Sequence, residues 1–174
     1  MTPATPKEAV AASRHVRAIA LLPLTNTIVI PSILMVLWPP AYPPQWTAAL
    51  AGCALAAAGA VLVAHCIRSF VRFGCGTLAP WDPTRALVSA GAYRFSRNPM
   101  KAGLFLVLAG EALATRSIAL TAWFACFGIV NLVYIRVHEE PGLLKRFGAR
   151  YDEYCERVPR WWPTLRTLRR TEVR

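Results

Sequence analysis

Apolar residues occur along this chain in four long blocks, separated by short polar or proline-rich connections. The blocks run from about Val16 to Trp38, from about Thr47 to Ile67, from Pro99 to about Ala114, and from about Ser117 to Val137. A bilayer core about 30 Å thick needs ~20 apolar residues of helix to cross it. Each block approaches that length almost without charge, so the pattern predicts four transmembrane helices. Pro23 and Pro31 interrupt the first and predict a kink. That block is longer than the ~7–15-residue apolar stretch of a signal peptide and no small-x-small site closes it, so a retained span is expected. The second block is rich in Ala and Gly, and Gly52 and Gly59 permit close helix approach, which predicts a central helix.

The connections add direction. Trp38-Pro39-Pro40-Ala41-Tyr42-Pro43-Pro44-Gln45-Trp46 is a stiff, uncharged interfacial loop with an aromatic residue at each end. Only Thr115-Arg116 joins the third and fourth blocks, which forces an antiparallel hairpin. After Pro141 the pattern becomes amphipathic, with Leu144, Phe147, Tyr151, Tyr154 and Val158 on one stripe and Lys145, Arg146, Arg150, Asp152 and Glu153 elsewhere. A helix restarting at Pro141 and lying on the membrane surface is expected. Trp161 and Trp162, flanked by Pro159 and Pro163, read as interfacial anchors. The expected fold is an all-α polytopic membrane protein, with four transmembrane helices plus a C-terminal amphipathic cytoplasmic helix, forming a single domain over residues 1–174.

Composition agrees with this picture and charge orients it. The 174 residues are 55% hydrophobic, and the mean hydropathy is +0.37, values that point away from a soluble domain. Net charge is +11, concentrated in connections and tails. Arg68, Arg72, Arg85, Arg94 and Arg97 face a lone Asp82 in the second connection, whereas the first connection carries no charge. The positive-inside rule therefore places the second connection and both termini in the cytoplasm, although Arg116 on the outer side mildly opposes it. Arg14, Arg17 and the basic tail outweigh Arg116, and Arg166, Arg169, Arg170 and Arg174 of that tail would then rest on anionic headgroups. No arginine-rich stretch interleaved with aromatics offers a nucleic-acid surface. Cys53, Cys66, Cys75, Cys126 and Cys155 lack metal-ligand spacing, so no metal site or disulfide framework is expected and the cysteines read as small buried hydrophobes.

With that topology, Arg97-Asn98-Pro99 and Glu139-Glu140-Pro141 meet at one membrane face. Asn98 before Pro99 is a helix-start signature, with Asn98 as the cap. Free amides there, helped by Arg94 and Arg97, suit a carboxylate or phosphate. The same residues would also serve only to start a span and enforce topology. Glu139 and Glu140 end a span where the helix dipole is negative, so they require compensation. That compensation is either the N-terminus of a new helix at Pro141 or a bound cation or hydroxyl group. The long second connection contains Gly74-Cys75-Gly76 and Pro80-Trp81-Asp82-Pro83, the irregular kind of loop that carries function. Within the spans, Glu111 is expected near Arg116, His65 near the inner end of the second span, and Asn26 and Asn131 as interhelical hydrogen-bond partners.

The string Gly91-Ala92-Tyr93-Arg94-Phe95-Ser96-Arg97-Asn98-Pro99-Met100, then Glu139-Glu140-Pro141-Gly142-Leu143, Phe147-Gly148-Ala149-Arg150-Tyr151-Asp152-Glu153-Tyr154 and Val158-Pro159-Arg160-Trp161, resembles the integral-membrane family of isoprenylcysteine carboxyl methyltransferases and phospholipid N-methyltransferases. The resemblance covers roughly residues 74–163. It implies a methyl transferase using S-adenosyl-L-methionine, leaving S-adenosyl-L-homocysteine, with a lipophilic acceptor drawn from the bilayer, an isoprenylcysteine-like carboxylate or a phospholipid amine. The implied donor-binding set is Gly74, Gly76, Tyr93, Arg97, Asn98, Pro99, Glu139 and Glu140. Glu139, Glu140 or Tyr93 would accept a proton from an amine acceptor, and Arg97 or Arg160 would hold a carboxylate. The implied location is a bacterial inner membrane with the site facing the cytoplasm. Asn98 and Lys101 depart from relatives that carry His and Tyr there, which leaves acceptor identity open. The alternative outside this class is a non-catalytic membrane protein binding anionic lipid.

Overall fold

A computed structural model of the chain describes residues 20–43, 45–73, 87 and 89–161. Every regular element among them is helical. A π-helical segment, Ala20–Val29, leads into α1 (Ile30–Leu37). Next come α2 (Trp46–Phe73), a 3₁₀ turn (Gly91–Arg94), α3 (Pro99–Thr115), α4 (Ile118–Tyr134), a π-helical turn (Ile135–Glu139), α5 (Glu140–Phe147) and α6 (Ala149–Arg157).

The helices α2 and α3 pack backbone against backbone. A Cβ on Gly59 would lie 2.5 Å from the Gly103 carbonyl oxygen, and one on Gly110 would lie 2.5 Å from that of Gly52. Gly52 also meets the Ala114 amide, so residue numbers rise along one helix as they fall along the other, and the pair is antiparallel. The small residues thus act as expected, but the central position belongs to α3. That helix touches α2, α4 and the N-terminal π-helical segment.

Among the described residues two helices are long and apolar enough to cross a membrane, Trp46–Ser69 and Ile118–Phe147. Only 22% and 17% of their apolar windows are buried within the chain, unlike the core helix of a soluble protein. Val36, Trp46, Val61, Ile118, Ile129 and Val133 are all exposed. Apolar surface on this scale needs a hydrocarbon solvent, and the chain is a membrane protein. The third helix, Pro99–Thr115, has 17 residues, and Pro23–Leu37 forms a shorter apolar helix.

At the α3–α4 turn Arg116 takes a left-handed φ of 54°, and the Ser117 hydroxyl accepts the Leu120 amide. Arg116 donates to the Pro43 carbonyl and lies 5.2 Å from the Tyr42 ring centroid, tying this turn to the proline-rich connection. It does not pair with Glu111, whose Oε2 is buried without a hydrogen-bond partner. Nor does Asn131 bridge helices, because its side chain donates to Phe127 in its own helix. Asn26 does join helices, through its carbonyl, which accepts from Trp123 Nε1.

The second half departs from expectation at Pro141. Instead of restarting there, the chain stays helical from Ile118 to Phe147. The Glu140 amide reaches back to the Ile135 carbonyl, an i to i−5 bond, so the widened π turn makes room for the proline that follows. The break comes at Gly148, with φ 54° and ψ −135°, a conformation open to glycine. Beyond it, Tyr151, Tyr154 and Val158 are buried together against Leu87, Leu143, Phe147 and Cys155. Leu143, not Leu144, joins that cluster, since Leu144 is exposed.

Candidate functional site

The C-terminal end of α2, the start of α3 and the C-terminal part of the Ile118–Phe147 helix converge on the segment that precedes α3. Gly91 sits at φ 61° with its open side against Ser69 and His65, which lets the 3₁₀ turn press onto the end of α2. Tyr93 is buried there with Cys66, between Leu62 and Met100. The Tyr154 hydroxyl donates to the Tyr93 carbonyl at 2.7 Å, so α6 is fastened to the same turn.

Asn98 is buried but does not cap α3. Its amide group donates instead to the Arg160 carbonyl at 3.2 Å, which also accepts the Ser96 hydroxyl. The Arg97 amide donates to the Pro159 carbonyl at 2.9 Å. The segment after α6 is thereby strapped across the start of α3, and its last described ring, Trp161, packs 5.6 Å from Phe105. A polar side chain at a cap position normally satisfies the helix's own amides. Here a neighbouring segment offers a better-placed carbonyl.

The two adjacent acids face different neighbours. Glu140 accepts a fork from Arg160, Nε to Oε1 at 2.8 Å and Nη2 to Oε2 at 2.7 Å. It also accepts Arg97 Nη1 at 3.0 Å, and the same Nη1 contacts Cys155 Sγ at 3.0 Å. Glu139 pairs with the Lys101 ammonium. That ammonium lies 5.4 Å from the Tyr134 ring centroid, and Tyr134 stacks on His138. The compensation that the two acids require therefore comes from this chain's own basic groups. Neither a new helix N-terminus nor a bound cation is needed to balance them.

Electrostatics follow from these contacts. Hydrogen bonds to the Glu140 carboxylate hold Arg160 above its ordinary value. Burial, aided by the neighbouring Cys66, pushes the Tyr93 hydroxyl well up, and burial does the same for Tyr154. Tyr93 is therefore a neutral hydroxyl at physiological pH and a poor proton acceptor. Arg97 Nε is buried and has no hydrogen-bond partner. A buried guanidinium N–H left open in this way is a ready donor to an anionic ligand group.

Of the residues expected at the site, Tyr93, Arg97, Asn98, Pro99, Glu139 and Glu140 come together at this end of the bundle. Gly74 and Gly76 lie outside the described residues, as do Cys75 and Trp162. Sequence reasoning did not identify Ser96 or Cys155 as site residues, marked Lys101 as a departure from relatives on the acceptor side but not as the partner of Glu139, and gave Arg160 a role toward acceptor rather than toward Glu140. Cys53 and Cys126 are exposed rather than buried. Among the described residues no three His, Cys, Asp or Glu side chains cluster as a metal site would require.

Comparison with known proteins bears on this arrangement. The chain is 35% identical over 85 residues to methanethiol S-methyltransferase 2 of Bradyrhizobium diazoefficiens, a match covering 47% of this chain and 30% of that protein. It is 30% identical over 99 residues to the nickel-cobalt-cadmium resistance protein NccN of Alcaligenes xylosoxydans xylosoxydans, covering 56% of this chain and 46% of that protein. The chain thus spans less than half the length of either relative. No solved structure matches it. The phospholipid methyltransferase family model matches residues 47–150, taking in α2, the 3₁₀ turn, α3, α4 and both acids, and the chain belongs to that family of methyltransferases.

Proposed function

We propose that this protein is an integral-membrane methyltransferase that moves a methyl group from S-adenosyl-L-methionine to a lipophilic acceptor. The observation that carries the reading is the ion-paired knot of Arg97, Glu140 and Arg160 at the start of α3, inside a chain of this family. In this reading all four apolar helices cross the membrane, α6 lies on its cytoplasmic surface, and the knot faces the cytoplasm.

The residues fit the donor. Arg97, with its open Nε, and the uncapped first amides of α3 suit the donor's carboxylate. Glu140 retains one acceptor site, on Oε2, toward a hydroxyl or ammonium while it orients both guanidinium groups. Gly74 and Gly76 belong to the same binding set by resemblance. When bound, the donor supplies a methyl group activated on a sulfonium. The chain's own part is to orient the reactants, keep water out through the Pro159–Trp161 strap, and hold the acceptor at the membrane edge. The acceptor is a phospholipid amine, an isoprenylcysteine-like carboxylate or, as the name of the first relative indicates, a thiol.

Calorimetric titration of the detergent-purified protein with S-adenosyl-L-homocysteine tests the reading. Saturable binding that is lost in Arg97→Ala is expected. A folded sample that takes up no ligand sinks it and leaves the non-catalytic lipid-binding alternative.

A further inference from the structure

We propose that Lys101 selects the acceptor, and that the acceptor it selects presents a negatively charged nucleophile, a carboxylate or thiolate, on an apolar carrier. The inference rests on the methyltransferase reading and concerns the side of the site that the donor does not occupy. Lys101 lies in the first turn of α3, four residues further along the chain than Arg97 of the knot and so toward the apolar body of that helix. It reaches across to Glu139 and to the face of Tyr134, a residue 45% exposed within the apolar Ile118–Phe147 helix. A molecule arriving from the bilayer along Tyr134 therefore meets the Lys101 ammonium before it meets the knot.

Charge balance favours an anion there. In the ion pairs Arg97, Lys101 and Arg160 set three positive charges against the two of Glu139 and Glu140, one cation in excess, and Arg136 adds a further positive charge near Glu140. The Lys101 ammonium has three N–H donors and gives one to Glu139 Oε2, which leaves capacity for a second acceptor oxygen or sulfur. An alkylammonium would be repelled by this excess, whereas a carboxylate arrives already ionised and a thiol attacks as the thiolate once its proton has passed to solvent. In either case the oxygen or sulfur lone pair of the anion forms the new bond to the methyl carbon, the carbon–sulfonium bond breaks, and its electron pair stays on the donor sulfur. Anion and sulfonium thus become a neutral methyl ester or thioether and a neutral donor product.

Three carriers of one chain length separate the possibilities: dodecanoate, dodecanethiol and dodecylamine, each offered in detergent with labelled S-adenosyl-L-methionine. The wild type is expected to label dodecanoate or dodecanethiol in preference to dodecylamine. In Lys101→Met the KM for the favoured anion should rise by about tenfold or more, the size of one charge-assisted hydrogen bond, with donor affinity held within about twofold. Lys101→Arg should keep most of the wild-type KM. Calorimetric binding of dodecanoate to donor-free protein should weaken in parallel in Lys101→Met. The double variant Lys101→Met/Glu139→Gln restores the wild-type net charge of the cluster without restoring the ammonium, so it should stay defective. Recovery in that double variant overturns the proposal, because Lys101 would then serve only Glu139. Preference for dodecylamine overturns it too, as does labelling of none of the three by a protein that still binds donor. Failure to bind donor at all counts against the methyltransferase reading instead.

Discussion

Glu140 and Glu139 differ in partners and in exposure, and the two should respond unequally to loss of charge. Glu140 serves two guanidinium groups, with side-chain exposures of 18% for the acid and 16% for Arg97, so Glu140→Gln strands two partly buried cations. Removing one partner of a fully buried pair costs about 3–5 kcal/mol, and residual solvent here reduces that to roughly 1–3 kcal/mol. Glu139→Gln should cost less, because that side chain is 34% exposed and has one partner. Thermal unfolding in detergent would rank them, and equal losses would contradict the geometry. Tyr154→Phe keeps the ring in its buried cluster but deletes the donor to the Tyr93 carbonyl, an expected loss of about 1–2 kcal/mol in the same assay. At this scale the sequence made the site's membership legible but not its pairing. Arg97 and Asn98 could be identified because they precede the proline that starts α3, and the two acids because they precede Pro141. The partners were invisible because Arg97 meets Glu140 across 43 positions and Lys101 meets Glu139 across 38. Asn98 was misread as a cap because nothing local announces the Arg160 carbonyl 62 positions away.

The α2–α3 pair is held by glycines whose missing Cβ atoms let two backbones touch, so its stability should depend on them individually. Gly59→Ala would drive a methyl into the Gly103 carbonyl at 2.5 Å and the Val107 amide at 2.8 Å, where only a backbone shift gives relief. A loss of about 1–3 kcal/mol is expected, as for other overpacked contacts. Gly128→Ala is the matched control, since a Cβ there meets nothing within 4 Å. Unfolding in detergent should find the control within about 0.5 kcal/mol of wild type or slightly stabilised, as for a surface substitution. Helix positions were largely legible because apolar runs and prolines mark them, and Gly52 and Gly59 announced a close approach. What failed was Pro141, where a local rule predicts a helix start. The widened turn at Ile135–Glu139 keeps the helix going and carries both acids on one rigid rod with Tyr134. Such a turn depends on hydrogen-bond register, which residue types alone do not encode.

For the whole molecule, the question is how many of the apolar helices the bilayer takes up, and the native cysteines can report it. Cys53 lies seven residues into α2 and Cys126 eight residues into α4, about 10–12 Å along each helix at 1.5 Å per residue. Both side chains are exposed to the surroundings rather than packed inside the chain. Their environment is therefore set by the solvent the protein lies in. In a four-span arrangement that solvent is hydrocarbon, where a charged maleimide does not enter and a thiolate does not form. Cys155 is half-buried on α6, beside Arg97, at the end expected to face the cytoplasm. Labelling sealed native vesicles with a membrane-impermeant maleimide, and assigning sites by mass spectrometry, should leave Cys53 and Cys126 unmodified from either side until the protein is denatured. Cys155 should label in inside-out vesicles and remain protected in right-side-out ones. Rapid modification of Cys53 or Cys126 in sealed vesicles would place water against α2 or α4 and break the four-span topology. Labelling of Cys155 only from the outside would keep the spans but invert them, putting the Arg97–Glu140–Arg160 knot on the face away from any cytoplasmic methyl donor.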